Sequence, residues 1–128
     1  MANQYKGEIK GKLGDKERTF RLTFESIVNI ENKTGKSIME IASTLANNTF
    51  SFKQILTVLH EGLVGAGGKF TQASVGDMVM KTGLIDCAVL GANIVTTVFA
   101  GQSKTEEDSP LVEGENEQKS TQSSNTSK

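Results

Sequence analysis

Two short alternating segments, joined by the turn signal Gly14-Asp15-Lys16, open this chain. From Tyr5 to Leu13, Tyr5, Ile9 and Leu13 share one face with Gly7 and Gly11, while Lys6, Glu8, Lys10 and Lys12 share the other. From Thr19 to Phe24, Phe20, Leu22 and Phe24 alternate with Thr19, Arg21 and Thr23. A period of two, interrupted by a Gly-Asp turn and resumed, specifies a β-hairpin. Two strands alone are marginal in water, so other elements must cover the apolar face.

The covering elements are helical. Thr23 is placed to cap a helix carrying Ile27, Val28 and Glu31, closed by Gly35. Ser37 and Glu40 form a capping box, in which the Ser oxygen accepts from one orphan N–H and Glu40 reaches back to another. Ile38, Ile41, Ala42 and Leu45 then follow the i, i+3, i+4, i+7 stripe. Ser51 and Gln54 repeat the box ahead of Ile55, Leu56, Leu59 and Leu63. Thr71 or Ser74 opens a short helix with Val75, Met78 and Val79, stopped by Gly83. The last helix spans Leu84 to Ala100, although its β-branched end, Ile94 to Phe99, also suits a strand. The fold class is therefore α+β: an N-terminal hairpin followed by four or five short helices.

The chain has 128 residues, enough for one domain. With no Trp, one Tyr and six Phe, its core must be mainly aliphatic. A net charge of −1 and a pI of about 5.8 argue against a nucleic-acid partner. One cysteine excludes an internal disulfide and suits a reducing compartment. The first residues contain no apolar run of the secretory kind. The longest apolar stretch, Cys87 to Ala100, falls short of the roughly 20 residues that span a bilayer. The expected location is the cytoplasm, with no membrane contact. Residues 102–128 are polar, with Leu111 and Val112 as the only aliphatics, and are expected to be disordered. The folded domain is assigned to residues 1–101.

Polar side chains form no recognisable reaction centre. His60 is the only histidine and has no neighbouring ligands for a metal, which needs three or four. Cys87 lies on the most apolar helix, where an inert thiol is expected. Gly65-Ala66-Gly67-Gly68-Lys69-Phe70-Thr71 fails as a phosphate loop: Leu63 stands where the first Gly is required, and Phe70 follows Lys69 in place of Ser or Thr. No catalytic residue, cofactor or metal is assigned. Apolar surface is more informative, because a domain of about 100 residues cannot bury every aliphatic on short helices. Phe50, Phe52, Phe70, Val98 and Phe99 are candidates to remain outside, where such groups mark protein contacts.

The order of these signals resembles the tail assembly chaperones of phages and gene transfer agents, in the gene-transfer-agent subgroup. The matching residues are Asn3 to Gly14, Arg21 to Glu25, Ile30-Glu31, Thr34 to Ser37, Leu59 to Gly67, Val75 to Asp77, and Gly83-Leu84. The resemblance covers residues 3–101. It implies a chaperone that binds the tape measure protein and keeps it soluble, contacts tail tube protein second, forms homo-oligomers, and is absent from the finished particle. Helix-in-groove recognition would use apolar side chains, and the contact region is assigned to Phe50, Phe52, Leu63, Phe70 and Phe99. The alternative is a structural tail protein, either a tail tube or a tail completion subunit. Tube subunits are usually dominated by β-sheet, so the single hairpin weighs against that alternative. An enzyme using Cys87 and His60, or a DNA-binding regulator, has less support.

Overall fold

The computed structural model describes residues 7–100. The segment expected to be disordered, residues 102–128, lies outside them, as does Tyr5. Strands β1 (Glu8–Leu13) and β2 (Lys16–Arg21) form one antiparallel two-stranded sheet. Ile9 faces Phe20, Gly11 faces Arg18 and Leu13 faces Lys16. Gly14 carries the left-handed backbone of the two-residue turn, at φ 72°.

The second strand sits earlier than the alternation suggests. It ends at Arg21, and Phe24 is the first residue of α1 (Phe24–Thr34), 83% exposed. Thr23 explains the difference: its hydroxyl accepts from the Ser26 amide at 3.1 Å, and the Ser26 hydroxyl accepts from the Thr23 amide at 3.1 Å. That reciprocal cap starts the helix before Phe24 can extend the strand.

Four more helices follow: α2 (Ile38–Asn47), α3 (Phe52–Gly65), α4 (Gln72–Thr82) and α5 (Leu84–Ala100). Ser37 with Glu40 and Ser51 with Gln54 form both expected capping boxes. Thr71, not Ser74, caps α4. Each such cap stabilises by about 1 kcal/mol. Helices α4 and α5 meet at Gly83 with a bend of 118°. The β-branched end of α5 stays helical, and the Thr96 and Thr97 hydroxyls donate to the Ala92 and Ile94 carbonyls, each at 2.7 Å.

Helix α3 is the centre of the domain. It packs against α1, α4, α5 and β2. Leu13, Phe20, Ile30, Ile41, Ile55, Leu59, Val75, Val79 and Ile94 are among the fully buried side chains. Burial of one such side chain is worth about 1.5–3 kcal/mol. Gly65 lets α3 lie against the end of β2, because a Cβ there would collide with the Arg21 carbonyl. No single helix among the described residues is long and apolar enough to cross a membrane.

Candidate functional site

Exposed apolar side chains form two groups, and Met39, Phe52 and Val64 are exposed besides. The first is on α1, where Phe24 and Val28, four residues apart, share a face. The second is the corner between α4 and α5, where Met80, Leu84, Ile85 and Val89 are exposed. The outward stripe of α5 continues through Asn93 and Thr96 to Phe99, with Asp86 as its single charge. A helix of 17 residues with apolar groups on nearly every side cannot bury all of them on one neighbour.

The five side chains assigned to partner contact are not on one surface. Phe52 and Phe99 are exposed. Phe50 and Phe70 are half-buried and pack against the core. Leu63 is 2% exposed and belongs to the core. Its assignment to a contact surface is corrected: α3 is packed on several sides by other elements, and Leu63 is part of the buried cluster they enclose. Phe70 is further occupied by Arg18, whose guanidinium carbon lies 5.5 Å from the ring centroid, within cation–π range.

The polar residues form connections within the fold. His60 Nε2 donates to the Phe70 carbonyl at 2.8 Å, tying α3 to the loop before α4. The carbonyl can only accept, so Nε2 is the donor, and Nδ1 is buried with no hydrogen-bond partner among the described residues. Cys87 is fully buried, and its thiol is pushed up to about 11 by burial and by Asp86 beside it. Such a thiol is not a nucleophile at neutral pH. Among the described residues, no group of three or more His, Cys, Asp or Glu could hold a metal ion.

Sequence reasoning missed Glu61. Its carboxylate is buried and accepts from Lys33 Nζ at 2.9 Å and from Asn29 Nδ2 at 3.3 Å. A hollow of about 270 Å³ opens beside it, lined by Glu25, Ser26, Asn29 and Val64 among others. Both Glu61 partners come from α1, some thirty residues upstream, so no local pattern announces them. Two hydrogen bonds, the one from Lys33 being also an ion pair, already engage the carboxylate, which therefore holds α1 to α3.

Residues 6–101 match the model of a family described as "Phage tail tube protein, GTA-gp10". The chain belongs to that family. No curated protein and no solved structure matches it. The family match bears out the phage and gene-transfer-agent tail setting and overturns the chaperone reading. The description names a tube protein, which was the alternative. The low strand content was read correctly, since the described residues hold one hairpin. The chaperone reading came from the resemblance, and the low strand content was wrongly counted against the tube alternative, because a fold class does not fix what a protein does. Membership in a structural tail family points away from an enzyme and toward other tail components as partners.

Proposed function

We propose that this protein is a structural subunit of a phage-type or gene-transfer-agent tail, built into the tail tube. It acts through apolar contacts between subunits and has no catalytic role. The observation that carries this reading is the family match, which covers 6–101 and so the whole described domain. The uncovered apolar residues of α1, α4 and α5 support it, because exposed patches of this kind mark protein contacts. The chemistry supports it too: the one thiol is buried, and the one buried carboxylate among the described residues is held by an ammonium and an amide.

The partners this reading implies are further tail subunits, copies of this chain among them, and the tape measure protein enclosed by the tube. Synthesis would occur in the host cytoplasm, followed by incorporation into the particle. Quantitative mass spectrometry of purified particles tests the proposal. A tube subunit is present in many copies per particle. Its absence from intact, tailed particles would sink the reading.

A further inference from the structure

Gly83 is the single residue between α4 and α5, and their bend of 118° is made there. Its φ of 102° and ψ of 142° belong to a backbone region reserved for glycine. The helical ladder nevertheless passes through it almost unbroken. The Gly83 amide donates to the Val79 carbonyl at 2.8 Å, and the Gly83 carbonyl accepts from the Cys87 amide at 3.1 Å. Both bonds follow the four-residue spacing of an α-helix. The corner interrupts only the three bonds between them, which Leu84, Ile85 and Asp86 would donate to Met80, Lys81 and Thr82.

The side-chain pattern also ignores the corner. Val75, Met78, Thr82, Ile85 and Val89 recur at alternating steps of three and four, and the rhythm runs on to Phe99. Such a rhythm marks one face of one helix. In the described fold that face is divided: Val75 and Met78 pack on the core, whereas Ile85, Val89 and Phe99 are exposed. The bent form is held by the burial of Val75 and Val79 and by two ties to the hairpin turn. The Gly14 amide donates to the Thr82 hydroxyl at 2.7 Å, and Lys81 and Asp15 form an exposed ion pair at 2.7 Å.

We infer that the α4–α5 corner is a two-state hinge, at which rotation about Gly83 joins both helices into one and swings α4 off α3 and the hairpin. The straight form gains the three missing ladder bonds and gives up the burial of Val75 and Val79. Few interactions separate the two forms, so small changes at the corner shift the balance between them. The hinge lies within one chain and stands apart from the tail tube reading.

The test measures the distance across the corner in the full-length chain. Cys87→Ala removes the native thiol, and Ala73→Cys with Asn93→Cys places spin labels at exposed positions, ten residues either side of Gly83. Double electron–electron resonance separates the forms: the backbones at those positions are about 15 Å apart across the corner and about 30 Å apart along one continuous helix. In this background the short distance is expected to dominate. Gly83→Ala is expected to make the long distance the major one and to raise the far-ultraviolet helix signal. A Cβ there meets nothing within 4 Å, so the variant reports on backbone preference alone. Thr82→Val with Lys81→Met keeps Gly83, removes both ties, and is expected to raise the long-distance fraction several-fold. The short distance alone in both variants would overturn the inference. So would a loss of helix signal in Gly83→Ala, the result for a corner that serves only the present packing.

Discussion

The buried carboxylate of Glu61 on α3 lies 2.9 Å from the ammonium of Lys33 on α1. The two ends differ in exposure: the Glu61 side chain is 6% exposed and the Lys33 side chain 40%. Removing the lysine leaves a buried charge with only Asn29 to serve it. Loss of one partner of a fully buried pair costs about 3–5 kcal/mol. The half-exposed ammonium is partly screened by solvent, which lowers the expected loss to about 1–2 kcal/mol. Lys33→Met is thus expected to lower the melting temperature by roughly 5–10 °C. Replacing both residues, Lys33→Met with Glu61→Leu, is expected to recover much of that loss. Thermal unfolding of the two variants beside the unaltered protein measures it.

Two glycines on neighbouring helices predict opposite outcomes. A methyl group at Gly65 meets the Arg21 carbonyl and lies 2.8 Å from the Ser26 hydroxyl. Backbone cannot swing aside as a side chain can, so Gly65→Ala is expected to destabilise by about 1–3 kcal/mol. At Gly76 in α4 the nearest atom is a Leu56 methyl at 4.0 Å. There Ala removes a helix-interior glycine without a clash and is expected to stabilise by about 0.5–1 kcal/mol. Urea denaturation of both variants gives the signs.

Cys87 supplies a test of burial by pH. Its thiol is raised from 9.0 to about 11. A raised value means that the folded state favours the neutral thiol. That contribution is complete below the unfolded pKa and is lost as pH rises through about 11. At pH 8, Ellman's reagent is therefore expected to leave the native protein unmodified and to react with one thiol per chain in urea. Fast labelling of the native protein at pH 8 would contradict the burial.

The hairpin turn carries a weaker electrostatic link. The Lys81 ammonium donates to the Asp15 carboxylate at 2.7 Å and holds its pKa below the usual value. The sign follows: the interaction is present above the unfolded pKa of Asp15 and is lost as pH falls through the lowered one. The group is fully exposed, so salt should screen it. Carboxyl NMR titration is expected to show the shift shrinking in Lys81→Met and in 0.5 M salt.

Much of the fold was legible because helix ends are local chemistry. Thr23, Ser37, Ser51 and Thr71 cap the helices they precede, and each needs only its next three residues to do so. Phe24 was misplaced because it satisfies two local rules at once, the next inward position of a strand and the first position of a helix. The Thr23 cap decides between them. Leu63 and Glu61 were beyond local reading, because what covers or pairs them arrives from β2 and α1. The outward stripe of α5 was within reach. Ile85, Val89 and Phe99 repeat at helical spacing, but on this helix only Val98 and Phe99 were taken as surface candidates. The chaperone reading rested on a resemblance, and side-chain periodicity carries no information on the choice between chaperone and tube.

Thr96 lies in the middle of the exposed stripe of α5, with its hydroxyl proton directed at the Ala92 carbonyl. A hydroxyl already engaged with its own helix surrenders little hydration when another surface closes over it. Covering this strip would release mostly water that lies against hydrocarbon. Such release is driven by entropy near room temperature and weakens in the cold. Assemblies closed through α5 are therefore expected to loosen on ice and re-form on warming.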